Sequence, residues 1–190
     1  MGKKCFALLL SVVFIVATGG AVLAAEFKSD MKIEGAGEEV TGKVFVKGEK
    51  MRQEMSTPMG TSVTITDQDA GVMYVLMPEQ KMYMEMPLDP DMMMLQTSSL
   101  EESLEGRAEI KKTGTETVAG YKCDIYEIKY NDPEMGESRA WVSQKLQYPV
   151  KVISKTSEGT VTLTYFNIVE GGIDPEIFKV PGGYQKLSGY

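Results

Sequence analysis

From Phe27 to Val169 the chain keeps returning to one pattern, an apolar residue followed by a polar one. Phe27, Met31 and Ile33 share one parity, with Lys28, Asp30 and Lys32 on the other. Val44 and Val46 follow, and Met51, Gln53 and Met55 then alternate with Arg52 and Glu54. Val63 and Ile65 alternate with Ser62, Thr64 and Thr66. Successive side chains of a strand leave opposite faces, so a period of two fits half-buried strands and not a helical stripe. Turn-forming residues punctuate the runs near positions 35–39, at Lys47-Gly48-Glu49-Lys50, over 67–71 and at Pro78-Glu79-Gln80-Lys81. Short strands joined in this way predict an antiparallel meander.

Two stretches depart from the alternation. Val72–Met77 is apolar on both parities, which predicts a central strand covered on both faces. Asp89-Pro90-Asp91 supplies an N-cap, a proline at the first helical position and an acidic first turn. One helix is therefore expected over residues 91–105, with Met93, Leu100 and Leu104 near one face and Gly106 as its stop. Strands resume at Ile110 and are expected over 115–118, 121–130, 138–143, 150–154 and 160–169. Within the strand from Tyr121 the apolar parity shifts between Cys123/Ile125 and Tyr126/Ile128/Tyr130, which predicts a bulge or a change of covered face. Asp174-Pro175 opens a short helical turn before Phe178. The fold class is mainly β, in the α+β sense: an antiparallel sheet and one helix.

The first 25 residues are read apart from the fold. Lys3 and Lys4 precede an apolar run from Phe6 to Val16, and small residues lead to Ala24 and Ala25. That is the three-part layout of a secretory signal, too short in its apolar core for a spanning helix of about 20 residues. Residues 1–25 are thus expected to be cleaved, leaving 26–190 as a single exported domain in the periplasm with no stable membrane anchor. Cys5 leaves with the signal, so Cys123 is the one mature cysteine and no internal disulfide is available. Its place in a strand-like run predicts a buried thiol. Without Lys3 and Lys4 the chain carries 18 basic and 27 acidic residues, a net charge of −9. Such a balance opposes nucleic-acid backbones and anionic lipid surfaces.

Chemistry-bearing constellations are few. There is no histidine, which removes the commonest general base, the Ser-His and Cys-His pairs and an ordinary zinc site. Gly35-Ala36-Gly37 has neither the helix nor the basic residue of a phosphate loop. The sequence predicts no enzyme and no cofactor.

Methionine is what stands out. Residues 73–94 read MYVLMPEQKMYMEMPLDPDMMM and hold eight methionines. Thioethers favour Cu(I), and Met82, Met84 and Met86 share a strand face, which offers a soft-metal alternative. Same-face neighbours in one strand stand about 6–7 Å apart, too far for one ion to bridge the row. A second reading is a plain core built with methionine in place of leucine, and a third is a pliable apolar surface, because flexible thioethers adapt to ligands of variable shape. Its lining would be Met51, Met55, Met73, Val75, Met77, Met82, Met84 and Met86, with Met93, Leu100 and Leu104 from the helix.

GTETVAGYKCDIYEIKY at 114–130 is followed by AWVSQKLQYPVKVISK at 140–155, FNIV at 166–169 and DPEIFKVPGGYQKL at 174–187. This order resembles the LolA-like superfamily of exported lipoprotein-carrier and lipid-binding proteins, and within it a small Met-rich branch of undetermined function. The resemblance implies a strongly curved antiparallel sheet, an unclosed half-barrel, with the helix over its concave face. It also implies a lipid, a lipoprotein acyl chain or a lipidated protein as ligand. An envelope protein docking at a sheet edge is the further partner class to expect.

Overall fold

The computed structural model describes residues 25–35, 37–57, 60–88 and 104–187. Among them the alternating runs form twelve strands. These are β1 (Glu26–Gly35), β2 (Glu38–Lys47), β3 (Lys50–Thr57), β4 (Gly60–Asp67), β5 (Val72–Met77) and β6 (Met82–Pro87). After them come β7 (Ala108–Val118), β8 (Tyr121–Tyr130), β9 (Glu137–Ser143), β10 (Pro149–Thr156), β11 (Gly159–Glu170) and β12 (Gln185–Lys186). Their hydrogen-bonded order is β12-β6-β5-β4-β3-β2-β1-β11-β10-β9-β8-β7, one sheet with two free ends. Neighbours are antiparallel except β12, which lies parallel to β6.

The predicted turns fall where the strands reverse. Lys47 pairs with Lys50 around a two-residue loop, and Gly48 adopts φ +56°, a left-handed conformation that costs glycine little. Gly42 answers a different need: a Cβ there would lie 2.2 Å from the Glu54 carbonyl oxygen, so the β2–β3 approach requires its absence.

No α-helix is present among the described residues. The expected helix over 91–105 falls almost wholly outside them. Its last two positions, Leu104 and Glu105, instead open a turn in which Arg107 and Ala108 donate to the Leu104 carbonyl. A helix over a concave face is therefore not supported. The turn after Asp174 does form, as a 3-10 helix over Pro175–Phe178, capped by Asp174 through the Glu176 N–H at 3.0 Å. None of the described helical segments is long and apolar enough to cross a membrane.

The chain divides into two compact units, Val22–Met93 with Tyr165–Tyr190, and a second containing Met94–Thr164. In the second, the parity change of β8 is a change of covered face. Cys123 and Ile125 are buried on one side with Trp141 and Ser143, while Ile128 is buried on the other. The bulge belongs to the partner strand β7, between Lys112 and Gly114. Trp141 donates from Nε1 to Glu116 at 2.7 Å and lies under Arg139 and Lys151.

In the first unit, Val63, Ile65 and Leu76 form a buried cluster with Ile173 and Phe178, and Phe45, Tyr74, Tyr83, Ile177 and Tyr184 pack around it. The segment after β11 thus closes one face of β2–β6 as a strap. Polar groups fasten it: Glu26 accepts from the Ile173 N–H at 2.9 Å, Lys47 donates to the Ile173 carbonyl at 2.8 Å, and Arg52 to the Ile177 carbonyl at 3.0 Å. The N–H of Ile173 and the Lys47 ammonium hold the Glu26 carboxyl below its ordinary range.

Candidate functional site

The opposite face of β1–β6 carries the methionines. Register alone decides this, because directly paired residues of adjacent strands project to the same side. Met86 pairs with Met73, Met73 with Thr66, Thr66 with Met51, Met51 with Val46 and Val46 with Phe27. One step along the strands the row is Met84, Val75, Thr64, Gln53, Val44 and Ser29. In the next, Met82 pairs with Met77, while Ser62, Met55, Gly42 and Met31 are paired in series. All eight predicted positions of the strands, Met51, Met55, Met73, Val75, Met77, Met82, Met84 and Met86, share this face.

Three predicted positions belong to the expected helix. Met93 and Leu100 lie outside the described residues. Leu104 is buried in its turn, within the other compact unit.

Burial varies across the face. At the β1–β3 end Phe27, Met31, Ile33, Val44, Val46 and Met51 are buried. Met55, Met73, Val75, Met77, Met82, Met84 and Met86 are half-buried. Charge is nearly absent: of the described residues from Phe27 to Met86 on this side, Glu38 at the far end of β2 is the one ionisable group. Lys28, Lys32, Lys43, Lys47, Lys50 and Arg52 all occupy the other parity.

Two side chains were missed by reading the run of methionines. Gln53 is 6% exposed and Thr66 1% exposed, and neither Gln53 Nε2 nor Thr66 Oγ1 has a hydrogen-bond partner. A buried polar atom left unpaired costs about 1–3 kcal/mol. The signal for Gln53 was present in the sequence, since it occupies the apolar parity of Met51-Arg52-Gln53-Glu54-Met55.

Other concavities lead elsewhere. In the second unit a groove of 610 Å³ is lined mainly by charged residues of β7–β10. Its cross-strand order Glu109, Lys129, Glu137, Lys155 beside Lys111, Glu127, Arg139 alternates in sign, so neighbouring charges offset each other. Cys123 is fully buried, its thiol donates to the Tyr121 carbonyl at 3.3 Å, and burial raises its pKa, which suppresses thiolate chemistry. Among the described residues no His, Cys, Asp or Glu cluster forms a metal-binding group.

The fold is shared with solved proteins of very different sequence. An uncharacterized conserved protein from Thermus thermophilus is 9% identical, with a TM-score of 0.62, covering 87% of this chain and 91% of that one. MucB, also solved in complex with MucA from Pseudomonas aeruginosa, is 12% identical at a TM-score of 0.58, covering 87% of this chain. The chain spans 60% of MucB, less than two thirds of it. LolA superfamily protein NE2245 from Nitrosomonas europaea also matches, at a TM-score of 0.42 and 12% identity, covering 82% of this chain and 90% of that one. No curated protein matches the chain. Residues 26–147 match a family described as a domain of unknown function, DUF4412, and the chain belongs to that family.

Proposed function

We propose that this protein is an exported, non-enzymatic binding or carrier protein that holds an apolar ligand, a lipid or the acyl chain of a lipoprotein, on the methionine face of β1–β6. The observation that carries the reading is the register, which gathers Met51, Met55, Met73, Met77, Met82, Met84 and Met86 on one uncharged surface. A surface meant only as core would favour side chains with well-defined rotamers, whereas thioethers repack around different shapes. Covering apolar area gains roughly 25 cal/mol per Å², so the half-buried β5–β6 end of the face is where a ligand gains most. The N-terminal layout supports export to the periplasm.

Organic extraction of the protein purified from its native envelope, followed by mass spectrometry, tests this. The reading predicts co-purifying lipid, lost when Met77 and Met84 are both replaced by Glu. Recovery without lipid, together with no displacement of a bound neutral dye by long-chain hydrocarbons, contradicts it.

A second reading draws on the same register. Met77 opposes Met82 and Met73 opposes Met86, and directly opposed strand residues have Cβ atoms about 4.5–5.5 Å apart. Thioethers from two strands can converge where the Met82, Met84, Met86 row alone cannot, which supports Cu(I) at a cross-strand pair. Competition against a Cu(I) chelator separates the two: micromolar or weaker binding, unchanged on Met77→Leu with Met82→Leu, removes the metal reading.

A further inference from the structure

The methionine face is uncharged at its centre but not uniformly apolar. Gln53 lies between Met51 and Met55 on β3, and Thr66 lies between Met51 and Met73 across the strands. Both are more than nine-tenths buried, and each presents an unpaired polar atom on that face, Nε2 and Oγ1. Gln53 pairs with Thr64 and Met51 with Thr66, so Gln53 and Thr66 are diagonal neighbours. Diagonal neighbours stand about 7–8 Å apart, within reach of a glutamine side chain.

Unpaired buried donors destabilise the empty protein, and native structures contain few. Two of them side by side in a field of thioethers is the arrangement of a site completed by something else. That something supplies an acceptor oxygen to the Gln53 amide N–H and to the Thr66 hydroxyl. Among the described residues no cation shares the face: Lys50 and Arg52, nearest in sequence, project to the opposite side, where they pair with Asp67 and Glu54. A carboxylate or phosphate brought here would lose its hydration without a counter-charge. A neutral carbonyl would lose far less.

Resting on the reading of this face as an apolar-ligand site, we propose that Gln53 and Thr66 form a neutral polar subsite for the ester or amide carbonyl of an otherwise hydrocarbon ligand. The subsite would set the depth at which an acylated ligand sits, while the methionines adapt to its chain.

The test uses displacement of bound Nile red by methyl laurate, dodecane and laurate at pH 8. The wild-type protein should bind methyl laurate more tightly than laurate. The ratio of methyl laurate to dodecane affinity should fall about tenfold or more in a Gln53→Met, Thr66→Val double variant, as two neutral hydrogen bonds are lost. The same variant without ligand should melt at a higher temperature than wild type, because the unpaired atoms are gone; a purely structural role predicts a lower one. Thr66→Val alone, which conserves shape, reads the same ratio should the double variant not fold. Laurate binding as tightly as its ester, an unchanged ratio, or a lower melting temperature overturns the subsite. If dodecane and methyl laurate displace dye but the ratio is unmoved, this inference fails and the apolar-ligand reading stands. If neither displaces dye, both fail.

Discussion

The two faces of β2–β6 are built from the same strands and differ in almost every other respect. One is closed by the chain itself: Phe178 and Ile173 complete a cluster with Val63, Ile65 and Leu76. Branched and aromatic side chains with few rotamers suit a surface that meets one fixed partner. The other face carries thioethers, two unpaired polar atoms and no charge at its centre. The difference teaches that two apolar faces of the same strands can be built from different side chains, rotamer-poor residues where the chain itself closes the face and flexible thioethers where the β5–β6 end stays half-buried.

The contrast is most easily broken at the closed face. Phe178→Ala should cost about 3–5 kcal/mol by chemical denaturation, the usual range for a buried phenylalanine. A loss below about 1 kcal/mol, read against that range, would mean that the strap is not a true core. On the methionine face, Met84→Leu conserves volume and should change stability by less than about 1.5 kcal/mol. A larger loss would show that the methionines are as shape-specific as the closed side.

The strap also carries a pH dependence that the methionine face lacks. Hydrogen bonds from Ile173 and Lys47 lower the Glu26 pKa from 4.5. The stability it contributes is therefore present above that value and lost as pH falls through the lower folded value. Glu26→Gln should reduce the melting temperature at pH 7, and the difference from wild type should shrink as pH falls below the ordinary carboxylate range. A difference that persists or grows at acid pH contradicts the linkage.

The smallest effect is one of rank. Under limiting peroxide, among the methionines of the described residues sulfoxide should form first at Met135, which is 48% exposed. Met55, Met73, Met77, Met82, Met84 and Met86 should follow, and Met31 and Met51 come last. Peptide mass spectrometry gives the order, and early oxidation of Met31 would contradict the burial gradient across the face.

Much of the fold was legible because the period of two survives in nearly every strand. Lys47-Gly48-Glu49-Lys50, the 67–71 turn and Pro78-Glu79-Gln80-Lys81 all reverse the chain as read. The parity of Met82, Met84 and Met86 against Tyr83 and Glu85 was equally readable: Tyr83 packs on the closed cluster and the methionines face away. What closes the other side was not legible. The strap depends on contacts such as Arg52 with the Ile177 carbonyl, far apart in the chain, which no local pattern encodes. The parallel pairing of β12 with β6 is hidden for the same reason, since two residues carry no periodicity. Gln53 and Thr66 were visible as letters, but their importance lies in the absence of partners, which exists only in three dimensions.

The central claim is that the methionine face, and not the rest of the surface, receives a neutral apolar ligand. Carbon-13 labelling of the methionine methyls gives each side of that claim its own reporter. Titration with methyl laurate should shift the signals assigned to Met55, Met73, Met77, Met82, Met84 and Met86 and leave Met135 in place. Shifts confined to Met135, or no shift at saturating ester, would contradict the account.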